Sequence, residues 1–135
     1  MTATVSKNCT ISTSPVSFGA YDPVAVNATA PLDATGTVIV TCTKGATARI
    51  DLNAGGNSQG LTRRMTQSAA EYLMYEIYKD ASRTAVWGEG LGNGLAVAAA
   101  PNRDPRTFTV YGRVAPNQDA TVGNYTDTVV ATVNF

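Results

Sequence analysis

The chain has 135 residues, enough for one domain that buries most of its unfolded surface without metals or oligomerisation. Ten basic residues balance ten acidic ones and 15% of residues are charged, which excludes an extended electropositive face for nucleic acid or anionic lipid. Histidine is absent, which removes the commonest general base and the commonest zinc ligand together.

Segments of strand character, parted by Gly, Pro, Asn and Asp, recur at short spacing and predict an all-β sandwich or barrel in a single domain spanning 1–135. The first covers residues 2–13, with a short piece at 16–18 behind it. A long loop, 19–35, leads to a strand at 36–43 in which Val38, Val40 and Cys42 share a face. In 46–53, Ala48, Ile50 and Leu52 point inward while Arg49 and Asp51 face solvent, the alternation of a strand buried on one side. Another strand follows at 61–67. The stretch 68–80 has two readings. As a helix it carries Ala69, Ala70, Leu73, Met74 and Ile77 in a stripe; as a strand it turns Leu73, Tyr75 and Ile77 inward and Tyr72, Met74 and Tyr78 outward. Tyrosines at 72, 75 and 78 favour the strand. A second long loop, 88–104, opens on the Gly-rich piece 88–94 and is a place for function or for a packing seam. The strand 106–114 turns Phe108 and Val110 inward. The last strand, 126–135, sets Asp127, Val129, Ala131, Val133 and Phe135 on one side, and no later segment follows to cover that row.

Cys9 and Cys42 are the only cysteines, and each shares the parity of an apolar row: Val5 and Ile11 beside Cys9, Val38 and Val40 beside Cys42. Two readings stand, a disulfide between these strands or two buried thiols acting as small hydrophobes. The first implies an oxidising compartment such as the periplasm or the cell exterior. No basic and apolar leader precedes Thr2, so the chain is expected either to be intracellular or to carry Met1 in place of a removed leader, and the cysteines favour the latter. No stretch approaches eighteen apolar residues, so membrane insertion is not expected.

Catalytic signals are weak. Without histidine a Ser-His-Asp or Cys-His site cannot be built, and nothing in the spacing of Glu71, Glu76, Glu89, Asp104 and Asp119 sets two carboxylates around one substrate. Asp51, Asn53 and Asn57 begin like a calcium loop, but Thr62 stands where a bidentate Glu is needed, so the stretch reads as a turn. Asn8, Asn27 and Asn124 each open an Asn-X-Thr triplet, which in a Thr-rich chain is largely chance. Trp87 reads first as a core anchor and second, with Tyr111, as a surface for a glycan or other ligand. No enzyme activity, metal or cofactor is expected.

The pieces Cys9-Thr10-Ile11, Phe18-Gly19-Ala20-Tyr21-Asp22-Pro23, Val40-Thr41-Cys42 and Arg64-Met65 occur in an informative order. So do Tyr75-Glu76-Ile77-Tyr78-Lys79-Asp80, Trp87-Gly88, Val110-Tyr111-Gly112-Arg113 and Gly123-Asn124-Tyr125-Thr126-Asp127-Thr128-Val129. Together they resemble the spore coat protein U domain family, which includes subunits of archaic chaperone-usher pili of Gram-negative bacteria. The resemblance implies an immunoglobulin-like β-sandwich lacking its seventh, C-terminal strand, whose groove takes a strand from another polypeptide. A periplasmic chaperone would supply that strand before assembly at an usher, and the N-terminal extension of a neighbouring pilin would supply it in the fibre. The groove floor expected here comes from Val5 and Ile11 on one side and Val129, Ala131, Val133 and Phe135 on the other. The implied function is a pilin-like subunit, secreted through the periplasm, that polymerises into surface fibres for adhesion and biofilm formation. The alternatives are a spore or cell coat protein of the same fold and a tip adhesin. One departure stands out: residues 1–6 are short for a donor extension, which implies either that the donor segment is removed or that the subunit accepts a strand without giving one.

Overall fold

The computed structural model describes residues 1–68 and 70–135. Among the described residues, eight strands form two antiparallel sheets. In chain order they are β1 (Cys9–Ser14), β2 (Leu32–Cys42), β3 (Ala48–Leu52), β4 (Arg63–Ser68), β5 (Glu71–Tyr78), β6 (Leu95–Val97), β7 (Arg106–Val114) and β8 (Ala131–Asn134). A single helical turn, α1 (Val26–Thr29), precedes β2. The five-stranded sheet runs β1-β2-β7-β5-β4 and the three-stranded sheet β6-β3-β8.

The core lies between the sheets. Val38 and Val40 of β2, Val110 and Val114 of β7, and Leu73, Tyr75 and Ile77 of β5 face Ile50 and Leu52 of β3 and Val97 of β6, all buried. Alternation along β2 and β7 follows from the two-residue period of a pleated strand with one wet face. Trp87 is fully buried and donates its indole N–H to the Ile50 carbonyl at 2.9 Å. The core reading of Trp87 therefore holds and its role as a ligand surface does not, because a side chain with no exposed area cannot stack on a solute.

Residues 71–78 are a strand, with Leu73, Tyr75 and Ile77 inward; of the residues in the competing helical stripe, Ala69 lies outside the described residues. The strand expected from residue 2 begins only at Cys9, and residues 1–8 form no strand. β2 starts at Leu32, inside the expected loop, because Leu32, Ala34 and Gly36 continue its inward row against β7. β6 emerges within the expected loop 88–104, a three-residue edge too short to carry a periodic signal. Asp51 is not solvent-facing: Arg49 holds its carboxylate at 2.8 and 2.9 Å, Asn134 donates to it at 3.0 Å, and it lies beneath Gly94. These contacts and burial both act on its carboxyl, and the Arg49 hydrogen bond keeps it below the ordinary value.

Candidate functional site: a cleft between two strand edges

Beyond Ser14 the chain leaves β1 as an extended segment, 15–18, that crosses the inward face of the five-stranded sheet. Two glycines make room for it. A Cβ at Gly36 would stand 2.8 Å from Val16, and one at Gly112 would stand 2.8 Å from Phe18 and 2.9 Å from Val16. Val16 and Phe18 thereby pack against the core as partly buried residues, with the Phe18 ring 6.2 Å from that of Tyr75.

Opposite this segment runs 125–131, the approach to β8. Between the two lies an open cleft of about 480 Å³ whose floor includes Val38, Leu52, Tyr75, Ile77 and Val110. Among the described residues β1 pairs with no strand but β2, and β8 with none but β3. Each therefore has one edge without a strand neighbour, and both edges border this cleft. A wider depression of about 820 Å³ adjoins it, sharing Val16, Phe18, Met65, Tyr125 and Thr126.

The backbone on the 125–131 side is arranged as a strand edge. Thr126 exchanges both backbone bonds with Thr66 (2.9 and 3.0 Å), Thr128 accepts from Gly56 N at 3.0 Å, and Val130 accepts from Asn53 N at 3.1 Å. The Val130 N–H donates to Asn53 Oδ1 at 2.9 Å. In an extended chain alternate residues turn their N–H and C=O groups to opposite edges. Since 126, 128 and 130 bond toward the body, the backbone groups of Asp127 and Val129 are directed to the cleft edge.

The side chains expected at the groove are placed as follows. Val129 and Ala131 line the cleft. Ile11 is half-buried on β1 opposite Val40, and Val133 is half-buried on β8 opposite Ile50; both pack against the core away from the cleft lining. Val5 is 84% exposed, in a segment with no strand pairing to press it against the body, and forms no floor. Phe135 is 50% exposed because it lies past Asn134, the last residue that β3 pairs. Cys9 and Cys42 are joined in a disulfide between directly opposed residues of β1 and β2. Tyr111 stands on the outer face of β7, away from the cleft, with the Arg83 guanidinium 5.6 Å from its ring centre. Nearby, Arg113 grips Asp33 at 2.7 and 2.9 Å and holds that carboxyl below its ordinary value.

Several residues of the site were not expected there: Val16, Phe18, Met65 and Tyr75. The inward parity of Tyr75 was readable, but its exposure to a cleft depends on which strand fails to cover it. Polar groups at the rim converge on Asp127, whose carboxylate accepts from Tyr75 OH at 2.6 Å and from Asn57 N and Nδ2 at 3.1 and 2.9 Å. Burial, and then this bond, push the Tyr75 phenol far above its ordinary value. No helix among the described residues is long and apolar enough to cross a membrane.

Comparison with known proteins gives this geometry a context. A chain of the CsuC–CsuE chaperone–tip adhesion subunit pre-assembly complex, from the archaic chaperone-usher Csu pili of Acinetobacter baumannii, superposes with a TM-score of 0.68 at 22% identity. The match covers 98% of this chain and 40% of that one, so the present chain spans less than half of its length, and the likeness establishes the pilin fold. Protein U of Myxococcus xanthus is 39% identical over 129 residues, covering 89% of this chain and 71% of that protein. The profile of the Spore Coat Protein U domain matches residues 1–132, and with it the chain belongs to the Spore Coat Protein U domain family.

Proposed function

We propose that this chain is a pilin-like structural subunit that takes a β-strand from another polypeptide into the cleft between β1 and β8. The carrying observation is the cleft itself, an apolar floor bounded by two strands that each lack a neighbour on one edge, with the backbone groups of Asp127 and Val129 turned toward it. An extended segment laid there would bond to Asp127 and Val129 on one side and seat every second side chain on Val38, Leu52 and Val110. Four or five apolar side chains at about 1.5–3 kcal/mol each would contribute about 6–15 kcal/mol, comparable with the stability of a small domain. An inserted strand is then a condition of stability and no mere accessory.

In this reading a periplasmic chaperone supplies the strand first, an usher mediates the exchange, and a neighbouring subunit supplies it in an extracellular fibre serving adhesion and biofilm formation. The fold shared with a Csu pilus subunit and the disulfide, which suits an oxidising compartment, support the pathway. No catalytic step and no cofactor enter it. A second reading, a coat protein that uses the same cleft to assemble, is favoured by membership of the Spore Coat Protein U domain family.

The test is to append, after Phe135 and a flexible linker, a strand alternating Val with Thr, long enough to fold back into the cleft. Unfolding is followed by the fluorescence of Trp87, the single tryptophan. The appended strand should raise the transition strongly, and a version with Asp in place of each Val should not. Equal transitions for the two would refute strand acceptance. Fibres labelled by antibody to this chain on the producing cell surface would favour the pilus, and labelling confined to a coat the second reading.

A further inference from the structure

The final approach to β8 carries a carboxylate where its inward row is otherwise apolar. Asp127, Val129, Ala131 and Val133 alternate inward, each partly buried. Nothing in strand formation asks for an acid at the head of such a row, and the residues around it are arranged to receive one. Gly55, at φ +91°, leaves the space: a Cβ there would stand 2.0 Å from Asp127 Oδ2. Asn57 gives two donors from the turn and Tyr75 gives its hydroxyl from the cleft floor. The turn is itself anchored. Asn53 Oδ1 accepts from Gly55 N at 3.0 Å, and the buried Arg63 holds the Asn53 carbonyl at 2.7 and 3.1 Å.

We propose that Asp127 is a positioning residue: a latch that fixes the 126–130 wall of the cleft to its floor, at Tyr75, and to the 53–57 turn, so that the edge is held ready to pair. The proposal rests on the strand-accepting reading given above. Residues 126–130 lie outside any regular strand, and their backbone bonds run to two separate places, Thr66 of β4 and the 53–56 turn. A short extended segment that belongs to no regular strand samples open positions more readily than a strand within a sheet. Every such departure removes the edge that an incoming strand must find. A carboxylate taking three hydrogen bonds, one from a buried phenol, adds charge-assisted bonds near the start of the wall. It also leaves both cleft-facing backbone groups, those of Asp127 and Val129, free for a guest.

The test uses the full chain with its disulfide intact, in wild-type, Asp127→Ala, Asp127→Asn and Tyr75→Phe forms. The probe is a fluorescent synthetic peptide alternating Val with Thr. Amide exchange at Thr126 and Val130, whose N–H groups bond to Thr66 O and Asn53 Oδ1, should rise by about tenfold or more in Asp127→Ala, the effect expected for lost hydrogen bonds to a charged group, while exchange in β2 and β7 stays near wild type. Peptide uptake should slow in parallel. Asp127→Asn, which keeps an acceptor, should recover part of both effects. Tyr75→Phe keeps the ring on the floor, so its loss should reproduce part of the defect, and adding it to Asp127→Ala should change little further. A uniform rise in exchange across all strands, or local loosening with unchanged uptake, overturns the latch. If the wild-type chain takes up no peptide, strand acceptance fails, and the exchange pattern alone still decides whether Asp127 holds the wall.

Discussion

Replacing Arg63 by Met should remove more stability than any other single surface-neutral change in the five-stranded sheet. The guanidinium lies on the inward face of β4, 3% exposed, opposite Tyr75. Its Nη2 donates to the carbonyls of Leu52 (3.0 Å), Asn53 (2.7 Å) and Trp87 (2.8 Å), its Nε donates to Asn53 O at 3.1 Å, and Nη1 meets the Glu76 carboxylate. Met matches the aliphatic stem but donates nothing. Three carbonyls and one partly buried carboxylate lose this cation, at about 1–3 kcal/mol for each acceptor that water cannot reach. Water reaches Glu76, whose side chain is 27% exposed, and Asn53 at the turn, so the sum is discounted to about 3–5 kcal/mol, the range for breaking a buried ionic pair. The measurement is urea unfolding with the disulfide intact, followed by Trp87 fluorescence. The midpoint should fall with little change in slope. Arg63→Lys should be intermediate, since an ammonium cannot span three carbonyls and a carboxylate at once. A loss below about 1 kcal/mol for Met, or wild-type stability for Lys, would refute the reasoning.

Other outcomes follow from the same contacts. Reducing the Cys9–Cys42 bond, which closes a separation of 33 residues, should cost about 3.5–4 kcal/mol in the chain-entropy account, read as the shift between oxidised and Cys9→Ala/Cys42→Ala unfolding curves. Trp87→Ala should cost about 3–5 kcal/mol, with Trp87→Phe in between because the bond to the Ile50 carbonyl is lost while most of the volume stays. Arg113 and Arg49 hold the Asp33 and Asp51 carboxyls below their ordinary values, so their contribution is present above about pH 4 and is lost as pH falls through the depressed folded values. Asp51→Asn should flatten that acid limb. The raised Tyr75 phenol has the opposite sense, its contribution present below about pH 10 and lost above it, and Tyr75→Phe should remove this alkaline loss. The chain without a guest strand should aggregate or exchange segments between copies; a reversible transition well above about 60 °C for a proven monomer would count against strand acceptance.

Much of the architecture is legible in the sequence because it depends on periods of two residues and on turn chemistry. β7 falls on residues 106–114 as its alternation predicts, and the inward rows Val38-Val40-Cys42 and Leu73-Tyr75-Ile77 are those the parity gives. The opposed thiols share parity with those rows, which is a local property, so a cross-strand bond was readable as one of two outcomes. Asp127 was visible too, as an acid in an apolar row, though its partners Tyr75 and Asn57 lie 52 and 70 residues away.

What sequence alone determined is therefore the set of faces: which side chains turn inward on each strand, and that the strands make an all-β domain of this family. The tertiary structure decided which of those faces remain uncovered. Val16 and Phe18 fill the hollow over Gly36 and Gly112, β6 and the 88–94 stretch cover the far side of β3, and β1 and β8 are left with a free edge each. Parity is fixed by neighbours along the chain, whereas exposure of an edge is fixed by what every other segment does in space. For the same reason Val5 and Phe135 carried the right alternation and still lie outside the cleft: an apolar row reaches only as far as its strand has a partner.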